Sequence, residues 1–255
     1  MELTPRQLEA VALLKTGRIG VITGGPGTGK TTVLKAVANV SDIWSVFAAP
    51  TGKAAKRIAE VTGVTASTIH RMLGSLIDTP GTHKLAFNRI IVDEASMVDV
   101  ELASALLCAV ADGAAVFFVG DVDQLPSVGP GNFFEDLIAS GTVPVVRLDT
   151  VHRAAKDSWV CANAPRILFG DIDVAPADDF EYVQVHDSAS MHSAVLEHIL
   201  PLYRSKAVAQ LLIPQKGGPM GTAMLNSKIQ GRLFPRRRDV WKVGHQEIGV
   251  GDSVI

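Results

Sequence analysis

Val21-Ile-Thr-Gly-Gly-Pro-Gly-Thr-Gly-Lys-Thr-Thr32 decides how the rest of the chain is read. The stretch reads as a strand over Ile19–Thr23, a glycine-rich turn and an amphipathic helix over Thr31–Val40. Gly24 and Gly29 stand five apart, followed directly by Lys30 and Thr31, which is the spacing of a phosphate loop. Residues with little or no side chain let backbone N–H groups turn inward around a polyphosphate. The helix behind them aims its positive end at the same anion. Gly25, Pro26, Gly27, Thr28 and Gly29 then form the cradle, and Thr32 continues it into the helix. Lys30 reaches the β- and γ-phosphates, and the Thr31 hydroxyl ligates Mg²⁺. The expected ligand is a nucleoside triphosphate, with Mg²⁺ beside it.

Upstream, Leu3–Leu14 opens as a helix. Thr4 caps it, Pro5 suits the first helical position, Gln7 closes a capping box, and Gly17 stops it. Leu8, Val11 and Leu14 are its expected apolar face. Two readings of Gln7 stand: a helix cap, or an amide that reads an adenine edge beside the phosphate loop.

Downstream, apolar runs at Ile43–Ala49, Ala114–Val119 and Thr142–Leu148 have the length of buried strands, and the three aliphatic residues Ile90–Val92 read as another. Helices are expected between them, including Val98–Ala111, and no two strands join by a two-residue turn. The pattern predicts an α/β fold, a parallel sheet with helices on both faces. In such sheets ligands gather at the carboxyl ends of the strands. Asp93 and Glu94 end one strand; a carboxylate there can hold Mg²⁺ and its neighbour can deprotonate an attacking water. Gln124, after the next strand, can sense the γ-phosphate. Arg153, after a further strand, can reach the transferring phosphoryl or stand on the surface. Thr51, Gly52 and Lys53 also sit at a strand end, whereas Lys53, Lys56 and Arg57 by themselves read as a solvated helix face. Val64–Leu73 starts another short helix, with Ser67 or Thr68 as cap. Ser75–Asn88, with Pro80-Gly81 at its tip, reads as a small hairpin or projecting loop.

Further on, a helix over Asp157–Leu168 contains Pro165. Acidic, proline-bearing Asp171–Asp179 suggests a boundary. Strands are expected at Phe180–Val185 and Val208–Pro214, and helices at Ser188–Tyr203 and Ala223–Leu233. The run Arg232, Arg236, Arg237, Arg238, Lys242 is locally basic: it meets a phosphate backbone, or it is a solvated loop.

Among 255 residues, 47% are hydrophobic and 20% charged, with a net charge of −2. That excludes a generally basic nucleic-acid binder, so any such contact must come from a local patch. Cys108 and Cys161 lie in apolar helical patterns and are expected to be buried free thiols. The N-terminus lacks the form of a signal peptide and no apolar run reaches membrane-spanning length, which points to a cytoplasmic protein with no membrane partner.

Taken in order, Leu3–Gln7, Gly24–Thr32, Pro50–Arg57, Thr68–Leu73, Ile90–Asp99, Gly120–Gly131 and His152-Arg153 resemble the motifs of the RecD-like helicases of superfamily one, the 5′→3′ branch. The match is dense from residue 3 to about 158. It continues through Ile213-Pro214, Gly221-Thr222 and Leu225-Asn226, and Gly251–Ile255 resembles the entry to a small inserted barrel. The resemblance implies a P-loop, RecA-like first core domain over 1–155, a linker over 156–179 and part of a second RecA-like domain over 180–255. It makes 75–88 a strand-separating pin. Gln7 would contact adenine, Lys30 and Thr31 the phosphates and Mg²⁺, and Asp93 the Mg²⁺. Glu94 would be the catalytic base, Gln124 the γ-phosphate contact and Arg153 the arginine finger. Thr51, Lys53, Thr68 and His70 would lie along single-stranded DNA. The implied function is an ATP-dependent helicase or translocase in recombination, repair or replication, working at single-stranded DNA and single/double-strand junctions. Two features depart from the pattern. Ala154 stands where the family often carries Gln, and two C-terminal motifs are missing, so a further segment or a protein partner is expected to supply them. The alternatives are a non-unwinding subunit that binds ATP and DNA, and the motor piece of a larger DNA-transfer protein.

Overall fold

The computed structural model describes residues 3–38, 45–150, 158–171, 178–234, 240–243 and 246–249. Two compact units divide between Phe180 and Glu181.

The first unit is built on six parallel strands: β1 (Ile19–Thr23), β2 (Ser45–Ala49), β3 (Ala66–Thr68), β4 (Arg89–Val92), β5 (Ala115–Gly120) and β6 (Val145–Arg147). Their order across the sheet is β3-β2-β4-β5-β1-β6. Every residue of β4 and β5 is buried, because helices cover both faces of a parallel sheet. The pleat sorts the side chains. Ile90, Val92, Val116 and Phe118 point into one core with Ile69, Leu73, Leu102, Leu106 and Phe134. Ile91, Phe117 and Val119 point into the other, with Leu14, Val33, Leu34 and Ile58. The fold class expected from the alternation of strands and helices is the one observed.

Helices α1 (Pro5–Thr16), α2 (Lys30–Ala38) and α3 (Gly52–Thr62) supply the second core; α4 (Ile69–Leu73), α5 (Val100–Ala109) and α6 (Phe133–Ala139) supply the first. Their starts follow local chemistry. Thr4 and Gln7 form the reciprocal capping box of α1. Thr51 Oγ1 accepts from Ala54 N, and Thr68 Oγ1 from Arg71 N. Asp99 Oδ1 accepts from Leu102 N at 2.8 Å. The buried face of α1 is Gln7, Ala10, Val11 and Leu14, whereas Leu8 is exposed; Gln7 takes its place because its amide finds partners inside.

Several expected elements are not formed. Residues 75–88 make no hairpin: a 3-10 turn spans Gly74–Ile77, and Leu85 N donates to Ala109 O at 2.8 Å. The returning flank is drawn into a bridge with Val110 instead of pairing with its own other flank. Thr79 and Thr82 hydroxyls close the intervening turns on Ser75 and Thr79 carbonyls, a local competitor of strand pairing. Of the expected strand Phe180–Val185 only Phe180 stands in a β-bridge, and neither 181–185 nor 208–214 joins a ladder. Their composition suits strands, but Tyr182, Val183, Val208 and Leu212 are exposed, and among the described residues no neighbouring strand pairs with them. Cys108 is exposed and Cys161 half-buried, against the expectation of two buried thiols.

A helix α7 (Trp159–Leu168), with Pro165 inside it, completes the first unit. The second unit contains α8 (Ser188–Arg204) and α9 (Thr222–Leu233), packed through Ile199, Leu200 and Ile229. It also contains an antiparallel pair, β7 (Val240–Val243) with β8 (Gln246–Gly249), in the stretch that had shown only basic charge. The tract Gly251–Ile255 lies outside the described residues.

Candidate nucleotide site

A cavity of about 590 Å³ opens at the carboxyl ends of the strands in the first unit. Gln7, Gly25, Pro26, Gly27, Gly29, Lys30, Thr31, Thr32, Asp93, Glu94 and Gln124 all line it. Parallel pairing explains the convergence. Thr23 of β1 pairs with Gly120 of β5, and Val92 of β4 pairs with Phe118 of β5, so three strands release their loops at one edge.

The phosphate loop has the backbone that its sequence demands. Gly27 and Gly29 have φ of 75° and 89°, in the left-handed region, which glycine enters without steric cost. A Cβ on Gly24 would stand 2.6 Å from Leu148 O and 2.8 Å from Thr28 Oγ1. Thr28 is buried; its hydroxyl donates to Gly25 O at 2.8 Å, bracing the turn from within. The Lys30 ammonium folds back over the loop, donating to Gly24 O and, at 3.1 Å, to Gly25 O.

Gln7 is 1% exposed. Its Oε1 accepts from Thr4 N at 3.0 Å, and its Nε2 donates to Thr28 O at 3.1 Å. One amide therefore caps α1 and also fastens it to the loop. The capping half of the two sequence readings is present, and the loop tether was not foreseen.

Asp93 follows β4, and its N–H donates to Ala48 O of β2 at 2.9 Å. Burial pushes its carboxyl up to about 6; the Glu94 charge pushes the same way, while the Glu94 backbone hydrogen bond, Lys30 and Arg57 oppose it. Glu94 has φ 54° and ψ 41°, a left-handed conformation uncommon for a residue with a side chain and often found at functional sites. Gln124 stands on the turn after β5. That turn is held by Gln124 N to Asp121 O at 3.2 Å, Asp123 N to Asp121 Oδ1 at 3.1 Å and Val122 N to Thr23 Oγ1 at 3.3 Å. The last bond ties it to the strand that feeds the phosphate loop.

The chemistry of these donors suits a Mg²⁺–triphosphate. The Thr31 hydroxyl and a carboxylate that is costly to ionise unaided are hard oxygen ligands. Among the described residues, no group of three or more His, Cys, Asp or Glu could hold a metal ion.

Four other residues singled out in the sequence lie elsewhere. Thr51, Lys53, Thr68 and His70 do not line the cavity. Register places Thr68 beside Ala49, so they cluster together at the carboxyl ends of the outer strands β2 and β3. Arg153 lies outside the described residues. Arg57 was missed: with Ala54 and Ile58 it forms the far wall of the cavity. The signal was there in its helical spacing from the strand-end loop, hidden by neighbouring Lys56 on the solvated face.

With this geometry in view, the chain belongs to the AAA domain family, whose model matches residues 2–188. Within it, the chain is similar to RecD-like helicases. It is 34% identical over 260 residues to the ATP-dependent RecD2 DNA helicase of Deinococcus radiodurans, covering 99% of this chain and 36% of that protein. It is 32% identical over 261 residues to the RecBCD enzyme subunit RecD of Mycolicibacterium smegmatis, covering 82% of this chain and 47% of that one. The chain thus spans less than half the length of these relatives. In fold it matches the crystal structure of Pif1 helicase from Candida albicans with a TM-score of 0.54 at 19% identity, over 84% of this chain and 57% of that chain. The likeness to RecD2 extends through the second unit, beyond the dense motifs that end near residue 158.

Proposed function

We propose that this chain carries the ATP-hydrolysing motor of a DNA helicase or translocase that works on single-stranded DNA. The observation that carries the reading is the convergence of the phosphate loop, Asp93, Glu94 and Gln124 on one cavity. In this reading the loop amides and Lys30 hold the β- and γ-phosphates, the ammonium leaving the Gly24 and Gly25 carbonyls to do so. Thr31 and Asp93 hold Mg²⁺, which supplies charge neutralisation on the phosphate oxygens. Glu94 takes the proton of the attacking water. Gln124 orients the γ-phosphate side, and Gln7 meets the base edge through its side-chain amide. Arg57 adds positive charge opposite Asp93. Arg153 is assigned the arginine-finger role from its motif.

Thr51, Lys53, Thr68 and His70 form the proposed single-stranded DNA track, with phosphate contacts dominating over base stacking. The segment 75–88 is retained as a candidate junction element, as a loop and not a hairpin. The direction is taken as 5′→3′, the setting as recombination, repair or replication in the cytoplasm, and 1–155, 156–179 and 180–255 as first core domain, linker and part of a second. ATP hydrolysis titrated with single-stranded DNA tests the reading, with Lys30→Ala as the inactive control. Equal rates with and without DNA would overturn it. Strand displacement from duplexes bearing a 5′ or a 3′ tail tests the direction.

One observation favours a second reading. Relatives named as RecBCD subunits suggest that such a chain works inside an assembly, binding ATP and DNA without unwinding by itself. DNA-stimulated hydrolysis without strand displacement would favour that reading.

A further inference from the structure

We propose that the groove between α8 and α9 in the second unit is a binding site for a phosphate group. This goes beyond the nucleotide site of the first unit and does not depend on it. The groove encloses about 490 Å³ and is lined on the α9 side by Ser227, Lys228, Gly231 and Arg232, facing His192 and Leu196 of α8. Lys228 and Arg232 stand one helical turn apart, so both cations reach the same face. Among the described residues no carboxylate lines the groove; α9 has no acidic residue at all, and the one acid of α8, Glu197, lies outside it.

The lysine is positioned, not loose. Its Nζ donates to His192 Nδ1 at 2.6 Å, while His192 Nε2 lies 2.6 Å from Pro219 O. A carbonyl can only accept, so Nε2 carries the ring proton and Nδ1 accepts from the ammonium. One of the three ammonium donors is thereby used and two remain for a ligand. The Ser227 hydroxyl offers another donor at the rim. Gly231 supplies the space: a Cβ built there would meet nothing within 4 Å. Two convergent cations, with no carboxylate among the described lining residues, suit a compact, multiply charged oxyanion. A phosphodiester of a nucleic-acid strand and a free phosphate share that chemistry.

The test uses the full chain with isotope-labelled histidine, following the His192 ring signals, identified by their loss in His192→Gln. Sodium phosphate, a twelve-residue oligothymidylate and chloride at matched ionic strength are titrated separately. Phosphate or oligothymidylate, or both, should shift the His192 signals saturably, and chloride should not. Saturation by phosphate at the same affinity per group identifies a free anion as the ligand; saturation by the oligonucleotide alone identifies a backbone. The double variant Lys228→Glu/Arg232→Glu should weaken the response at least tenfold. So should Gly231→Leu, which adds bulk to the groove lining, leaves every charge in place and improves helix propensity. Lys30→Ala should leave the response intact, which separates this site from the nucleotide cleft. A response that fails to saturate, is reproduced by chloride, or survives both groove variants would overturn the proposal.

Discussion

Asp93 is where this site and the stability of its fold oppose each other. Its carboxyl is raised from 3.8 to about 6 mainly by burial. Between those two values the folded protein binds more protons than the unfolded chain, so stability falls as pH rises through that window. Above about 6 the ionised carboxylate costs on the order of 2–3 kcal/mol. Asp93→Asn should therefore raise the melting temperature of nucleotide-free protein by several degrees at pH 7.5 and by little at pH 4, while abolishing the further rise that Mg-ATP gives the wild type. Scanning calorimetry at both pH values checks this. Lys30→Ala should lower ATP hydrolysis by at least ~100-fold, since it removes charge from the transferring group. Glu94→Gln should bind ATP with near-normal affinity and fail to turn it over, as nucleotide binding compared with single-turnover hydrolysis will reveal. These residues were legible because each role is written in consecutive residues, Gly24–Thr31 and Asp93-Glu94. Arg57 was not, because a cation on a helix faces water or a site according to packing. The bond from Gln7 to Thr28 joins residues 21 apart, and no local pattern announces it.

Among the elements, α5 and the loop that follows β5 are fitted to each other. A Cβ on Gly129 would stand 2.0 Å from Asp99 Oδ2, the carboxylate that caps α5, and Val100 N donates to Pro130 O at 3.1 Å. Gly129→Ala should displace that cap and cost about 1–2 kcal/mol, read as a lower urea midpoint. It should also slow hydrolysis by shifting the loop that carries Gln124. Strands β4 and β5 were readable from sequence because unbroken apolar runs have few other uses in a chain of this composition. The segments 181–185 and 208–214 have similar content, but a strand also needs a partner edge, and composition says nothing of partners. Helix starts were readable at Thr4 and at Thr68, one of two candidate caps, where one hydroxyl satisfies an orphan amide within three residues; the Thr51 cap was not read.

For the whole molecule, the division after Phe180 makes a prediction about autonomy. The first unit holds the six-stranded sheet, both of its cores and all the described residues of the nucleotide cavity. Residues 1–180 expressed alone should fold cooperatively and be stabilised by Mg-ATP, as followed by thermal melting with and without nucleotide.

Cys108 has a consequence for how motion in the proposed motor could be watched. It is exposed at the end of α5, and a helix that leaves the carboxyl edge of a parallel sheet ends at the opposite edge. The chain thus carries a native tether point on the side away from its nucleotide cleft. A dye or bead attached there would report on the protein while leaving its catalytic edge uncovered.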